Sequence, residues 1–413
     1  MKILIADSFE SNGVELLKKV FGPLNVVQES SLKGDSLRDA VSKYDVIVVR
    51  SNKLTKDIIY AASNVKLIVR SGAGVDNIDV VAASEHGIYV SNCPGKNADA
   101  VAELTIGLMI ALDRRIVENV VDLRAGVWNK KEYSKADGLA GKTIGIAGFG
   151  SIGRAVAERA KGMKMKVVAW SRSLTPEDAK AAGVEFAPDL VSLARSSDVL
   201  SLHIAGSSGT SNIINKEVLS ALPGNAILIN TARAGILDHV ALREAVAQKK
   251  LRVALDVYPN EPGSNDKQFN DEIIFLPGLL GTHHIGASTD QAQRAIAEEA
   301  VRIIIEFKET GNVLNCVNLC KKSPAVADLI VRHYDRVGVL ADVLTALKQA
   351  NINVQDMSNI IFEGTKAACA HLHLDTFPDE VLLKRIKESN ISIIQVESII
   401  LNQKQELSAS PNV

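Results

Sequence analysis

Gly148-Phe149-Gly150-Ser151-Ile152-Gly153 follows the apolar run Thr143-Ile144-Gly145-Ile146-Ala147 and leads into a helical stretch over 154–163. Between a strand and a helix, each glycine of this spacing has a mechanical task. Gly148 lets the chain turn tightly, Gly150 lets backbone approach a pyrophosphate, and Gly153 lets the helix pack on the strand. Amides at the helix start, those of Ser151 and Ile152 among them, then face phosphate, with the helix dipole aiding them. A glycine-rich loop without a ligand is the alternative, and the strand-turn-helix context weighs against it.

The next strand, 165–170, should end in an acid that holds the adenosine ribose hydroxyls of NAD. It ends instead in Ser171-Arg172-Ser173. A guanidinium flanked by hydroxyls suits a 2′-phosphate, because it pairs bidentately with phosphate oxygens. Arg172 as a solvated loop residue, with NAD bound without the acid, is an equal alternative, so NAD and NADP both stay open.

A chain of 413 residues has room for two or three domains with sizeable cores. Its 47 basic and 48 acidic side chains nearly cancel, which leaves nothing to draw nucleic acid or a membrane surface. An anionic substrate would have to be met by local basic clusters. Cys93, Cys316, Cys320 and Cys369 are too scattered for a disulfide framework, and no neighbouring ligand set completes a metal site. The N-terminus reads as a buried strand and not as a signal peptide, and the apolar run 100–112 is too short to span a bilayer. The expectation is a soluble, cytoplasmic protein.

Short β-rich runs at 2–6, 46–50, 67–70, 143–147, 166–170, 199–203, 226–230 and 252–256 alternate with helical stretches, the grammar of parallel sheets with crossover helices. Because the glycine loop arrives so late, a unit of comparable architecture must precede it. One long helix over 98–124 is expected to cross between the two units, and another over 289–309 to return to the first. The expected divisions are a discontinuous domain of 1–96 and 288–320, a dinucleotide-binding domain of 97–287, a third domain of 325–401, and a flexible tail of 402–413. The third domain reads strand, helix, strand, strand, helix, strand, the ferredoxin-like βαββαβ order. The fold class is therefore α/β, with two Rossmann-like or flavodoxin-like parallel sheets flanking a cleft and a small ferredoxin-like unit behind them.

Four further segments sharpen the chemistry. Asn230-Thr231-Ala232-Arg233 puts Arg233 at a strand's C-terminal end, where ligands sit in open α/β sheets. Asp256 ends the next strand, with Glu261 in the loop after it, and His283-His284 follows further on. Upstream, Arg70-Ser71-Gly72-Ala73-Gly74 is a glycine-rich turn able to offer amides to an anion. Oxidising a 2-hydroxy acid needs a cation on the carboxylate and C2 oxygen, a base titrating near neutrality, and a carboxylate orienting that base. Arg233, His284 and Glu261 suit these three tasks. Singly they would read as a surface ion pair, a structural histidine and a solvated acid; beside a nucleotide loop, together, they do not.

These segments resemble the D-isomer-specific 2-hydroxyacid dehydrogenases, and the βαββαβ unit resembles an ACT regulatory domain; the resemblance covers nearly the whole chain. It implies that Arg233, Glu261 and His284 are catalytic, that Asp256 contacts the nicotinamide amide, and that Thr231 and Ala232 line the nicotinamide. The family's usual Pro before the catalytic His is His283 here, and the retained Ile285-Gly286-Ala287-Ser288-Thr289 keeps the assignment on His284. With the ACT resemblance, the implied substrate is a phosphorylated hydroxy acid, 3-phospho-D-glycerate, at the entry to serine biosynthesis. Arg50, Arg70 and Lys130 are then phosphate candidates, Lys130 by reaching a neighbouring subunit of a homodimer or homotetramer. Ser71, Gly72, Ala73, Gly74 and Asn97 would contact substrate. His333, Asp335 and Asn353 match positions that bind serine in serine-inhibited members, with Asp335 replacing the common Asn; a unit that only mediates oligomerisation is the alternative. A glyoxylate or hydroxypyruvate reductase is the nearest competing activity. A nucleotide-sensing, corepressor-like binding protein is the competing class.

Overall fold

The structure, a computed structural model, describes residues 1–262, 268–320 and 322–401; the expected tail, 402–413, lies outside the described residues. Two compact units divide the chain, Met1–Asn318 and Leu319–Val413. Within the first unit lie two parallel sheets.

The first sheet comprises β1 (Ile3–Ile5), β2 (Val26–Gln28), β3 (Val46–Val49), β4 (Leu67–Arg70) and β5 (Tyr89–Asn92), in the order β2-β1-β3-β4-β5. Every pairing in it is parallel, and the order is that of flavodoxin-like sheets. The second sheet runs from β6 (Thr143–Ala147) through β7 (Lys166–Trp170), β8 (Glu185–Phe186), β9 (Val199–Leu202), β10 (Ile227–Asn230) and β11 (Arg252–Leu255) to β12 (Leu279–Gly281). Its order, β12-β11-β10-β9-β6-β7-β8, reverses between β6 and β9, the topological switch point of a Rossmann fold.

Parallel strands covered on both faces are apolar at nearly every position, which is why these runs stood out in the sequence. Val199, Ile227 and Ile229 bury into one core with the helices Ala98–Arg114 and Ser151–Gly162. Their neighbours Leu200, Leu202 and Leu228 bury into the other. The returning helix, Asp290–Thr310, packs Ile296, Ala300, Ile303 and Ile304 against Ile3, Ile5, Val46 and Val48 of the first sheet. Its cap is Thr289, whose side chain accepts the Ala292 amide.

Two expectations need correction. The stretch 98–124 is not one helix but two, Ala98–Arg114 and Ile116–Arg124, broken at Arg115, which adopts φ +50. That residue ends the first helix in the left-handed conformation, and its guanidinium is drawn to Glu132 at 2.8 Å and over the Tyr133 ring. Four strands were also missed, β2, β5, β8 and β12. Each spans four residues or fewer and mixes apolar with polar residues or glycine, so no apolar run announced it.

The second unit is one antiparallel sheet, β13 (Ala327–Tyr334), β14 (Val354–Ile361), β15 (Ala367–Leu374) and β16 (Ile393–Ile400), ordered β14-β15-β13-β16. The helices Val339–Gln349 and Glu380–Ser389 cover one face and complete the βαββαβ order. Its core is formed by Leu329, Val331, Val343, Leu347, Leu372, Leu374 and Ile386 among others.

Candidate active site

At the switch point the chain leaves β6 through Gly148, at φ +99. A Cβ there would lie 2.4 Å from the His203 carbonyl oxygen, so only glycine lets the loop pass the end of β9. A Cβ on Gly153 would lie 2.1 Å from the Gly148 carbonyl oxygen, which explains why the helix packs so closely on the turn. Gly150 differs: a Cβ on it would meet nothing within 4 Å. That open space faces the start of the helix Ser151–Gly162, whose first amides have no intrahelical acceptors. The cradle fits a dinucleotide pyrophosphate. Beyond β7, Ser171 is half-buried while Arg172 and Ser173 are exposed, and Arg172 pairs with no carboxylate among the described residues.

His203, which sequence reasoning passed over, stands beside this loop. Its Nε2 contacts the Ser201 hydroxyl at 2.8 Å, its Nδ1 is buried without a partner, and burial pushes its pKa down to about 3. It is a neutral imidazole at physiological pH.

A cationic cluster lies across the first unit. Arg233, just past β10, donates from Nε to Asp76 at 2.7 Å and from Nη1 to the Ala232 carbonyl at 2.8 Å. Asn230 holds the turn behind it, donating to the Arg233 carbonyl and accepting from the Ala232 amide. A Cβ on Gly74 would sit 1.9 Å from the Arg233 Nη2. On Gly72, at φ +150, it would sit 1.4 Å from the Arg70 Nη1. The glycine-rich turn 71–74 thus seats two guanidinium groups. Burial, then repulsion from Arg233 and Arg50, lowers the Arg70 pKa, and the Arg70 Nε is buried without an acceptor. The Asn97 Oδ1 is likewise buried and unpartnered. Arg50 belongs to a turn fixed by Asp7, whose Oδ2 accepts the amides of Arg50, Ser51 and Asn52 at 2.8–2.9 Å. Lys130 is exposed, in the short helix Lys130–Tyr133, and no side-chain contact joins it to these arginines.

The acid and the base meet. His284 Nδ1 lies 2.7 Å from Glu261 Oε2, and the other Glu261 oxygen accepts the Tyr258 amide at 2.9 Å. A carboxylate only accepts, so Nδ1 carries the proton and Nε2 is left as the free base. Burial raises the Glu261 pKa, but the bonds from His284 and the Tyr258 amide and the field of Arg233 outweigh it and hold the group below its ordinary value. His283 is exposed and makes no such contact.

Asp256 does more than its sequence position suggested. Fully buried, it accepts the Thr282 hydroxyl and the Ile285 amide on Oδ1, at 2.6 and 2.9 Å, and the Gly286 amide on Oδ2 at 2.9 Å. It fastens the segment on both sides of His284, which itself takes φ +52. Thr231 is buried and shares a hydrogen bond of 3.0 Å with Thr105. Of the residues missed in the sequence, Asp76 lay next to the quoted glycine turn and Asp7 at a strand end; His203, Asn230 and Thr105 gave no signal of their own.

In the second unit, His333 is buried, with Nδ1 on the Tyr334 carbonyl and Nε2 on Asn359 Oδ1. Asp335 and Asn353 are exposed, and no side-chain contact joins either to His333. Among the described residues no cluster of three or more His, Cys, Asp or Glu is arranged for a metal ion, and no helix is long and apolar enough to cross a membrane.

The family profile for the NAD-binding domain of D-isomer specific 2-hydroxyacid dehydrogenases matches residues 106–286. A D-3-phosphoglycerate dehydrogenase of Methanocaldococcus jannaschii is 37% identical over 324 residues, 77% of this chain and 60% of that protein. A hydroxypyruvate reductase of Thermotoga maritima is 41% identical over 312 residues, 75% of this chain and 98% of that protein. Among solved structures, the NAD+-bound 3-phosphoglycerate dehydrogenase of Entamoeba histolytica superposes with a TM-score of 0.64 at 31% identity, over 77% of this chain and 99% of that one.

Proposed function

Because this chain belongs to the D-isomer specific 2-hydroxyacid dehydrogenase family, we propose that it transfers a hydride between a nicotinamide dinucleotide and a D-2-hydroxy acid. The favoured substrate is 3-phospho-D-glycerate, oxidised to 3-phosphooxypyruvate. The observation that carries the chemistry is the 2.7 Å Glu261–His284 contact beside Arg233. Arg233 binds the substrate carboxylate and polarises the C2 oxygen. His284 Nε2 takes the hydroxyl proton, and Glu261 keeps Nδ1 protonated and stabilises the imidazolium that forms. The nicotinamide, when bound, supplies the hydride acceptor; Gly148, Gly150, Ser151, Ile152 and Gly153 would hold its pyrophosphate.

The choice of a phosphorylated substrate rests on charge. Arg233 and Arg50 both lie close enough to repel Arg70, and an Arg70 Nε buried without an acceptor is costly unless an anion arrives. A smaller 2-keto acid is the second reading, supported by the match along 98% of the Thermotoga hydroxypyruvate reductase. Assaying 3-phospho-D-glycerate, D-glycerate, D-lactate, hydroxypyruvate and glyoxylate with NAD(H) and NADP(H) decides between them. Phosphoglycerate inert in both directions, with hydroxypyruvate or glyoxylate rapidly reduced, would transfer the assignment to the second reading.

Exposed Arg172 in place of a ribose-binding acid favours NADP, and Arg172→Ala should then weaken NADP(H) binding while sparing NAD(H). A homo-oligomer is proposed to cover the helix Ile116–Arg124, none of whose residues is buried, with Trp128 81% exposed beyond it. That same contact would bring Lys130 to a neighbouring active site. The second unit is proposed as an amino-acid-sensing ACT unit. Its burial and paired nitrogens leave His333 closed to a ligand as it stands, so serine would have to engage the exposed Asp335 and Asn353 first. A thermal shift with serine and none with glycine tests this.

A further inference from the structure

Glu261 sits in a turn that must be held still for its carboxylate to orient His284. Besides the Tyr258 amide on the Glu261 carboxylate, three contacts fix that turn. The Tyr258 hydroxyl donates to the Leu255 carbonyl at 2.9 Å, and the Tyr258 ring rests edge-on against Phe269, with centroids 5.0 Å apart. The third is next to Glu261 itself: Asn260 donates from Nδ2 to Asp271 Oδ2 at 3.1 Å. Asp271 is 7% exposed, and its other oxygen accepts the Ile273 amide at 3.0 Å, capping the short 3-10 turn Glu272–Phe275. One buried carboxylate therefore faces two ways, towards its own turn and towards the residue preceding the proposed catalytic acid.

We propose that Asp271 is a positioning residue which, through Asn260, holds Glu261 at bonding distance from His284; the inference rests on the reading of the Glu261–His284 pair given above. The physical case is one of tolerance. The Glu261–His284 contact is 2.7 Å, so a displacement of the turn by about 1 Å takes it past the limit of a hydrogen bond. Releasing Asn260 frees the backbone immediately before Glu261 and leaves the carboxylate held by the Tyr258 amide, while the Tyr258 hydroxyl and ring act three residues away.

The cap and the positioning role separate by mutation. In Asp271→Ser the hydroxyl can still cap Ile273 but is too short to reach Asn260. Asn260→Ala removes the same bond from the other side. Asp271→Asn is the rescue, because an Asn260 amide turned over can accept from the new amide. Reduction of hydroxypyruvate, glyoxylate and 3-phosphooxypyruvate by NADH and NADPH would be followed in the full chain, in wild-type and Glu261→Gln backgrounds. In the wild-type background, Asp271→Ser and Asn260→Ala should each lower kcat by about ten-fold or more, leave cofactor KM within about two-fold, and preserve Tm. Asp271→Asn should recover most of the loss. In the Glu261→Gln background the same substitutions should cost nothing further, since there is no carboxylate left to place. Equal losses in both backgrounds, or full turnover in Asp271→Ser, would overturn the positioning role and leave Asp271 a helix cap. Full turnover in Glu261→Gln alone would remove the reading of the acid–base pair, and the role of Asp271 with it.

Discussion

His284 takes φ +52, a backbone conformation that histidine tolerates better than most side chains but still at a cost. The three bonds from Asp256 to its neighbours offset that cost. His284→Asn keeps a side chain that accepts this conformation while removing the base, so turnover should fall by about 10²–10⁴-fold with cofactor affinity retained in a fluorescence titration. Gly74→Ala should fail differently: the added methyl meets the Arg233–Asp76 pair, and kcat/KM should drop by about 10²-fold through a displaced guanidinium. For Glu261 the sign is that of a carboxyl with a depressed pKa. Its bond to His284 is fully present above its ordinary value of 4.5 and disappears only as pH falls through the lower folded value. An acidic limb in kcat/KM that Glu261→Gln abolishes should therefore lie below pH 4.5.

Elements differed in how far the sequence revealed them. β6, β9, β10 and β11 announce themselves because both faces are buried, so each is four or five residues long with three or more of them apolar, and the glycine loop fixes which strand is the switch point. The break at Arg115 was hidden, since no glycine or proline marks it and the partners of its side chain, Glu132 and Tyr133, lie further along the chain. Site residues split the same way. Arg233, Glu261 and His284 were legible as residue types at a strand end or in a loop that follows one, whereas the burial and pairing of Asp271 and His203 exist only in the folded chain. The helix Ile116–Arg124 carries a prediction at this scale. Val121 is 60% exposed, and Val121→Lys should shift the chain to a smaller species in sedimentation if a second copy covers that face.

For the whole molecule, the most informative titration is that of Glu299. Its bonds to Arg302, followed by those to Asn315 and the charge of Lys96, outweigh burial and bring its pKa down to about 2. Glu299 lies on the returning helix and Lys96 just before the helix that crosses between the sheets, so the group ties together the two passages of the chain. A depressed carboxyl stabilises fully above its unfolded value near 4.5 and loses that contribution as pH falls towards 2. Wild type should thus melt above Glu299→Gln at neutral pH, with the gap in Tm closing across that acid window.

The carboxylate of Asp7 has a consequence for how a phosphate is held. Three consecutive amides, those of Arg50, Ser51 and Asn52, already converge on it. Successive N–H groups of this kind otherwise form a ready concavity for an anion, and here the chain has filled it with its own. A phosphate arriving beside Arg50 would be met by side-chain guanidinium groups and not by a cup of backbone amides. The charge attraction in recognition of that sort is long-range, and it fades as counterions accumulate. KM for a phosphorylated substrate should accordingly climb steeply with added potassium chloride, while KM for an unphosphorylated keto acid climbs far less.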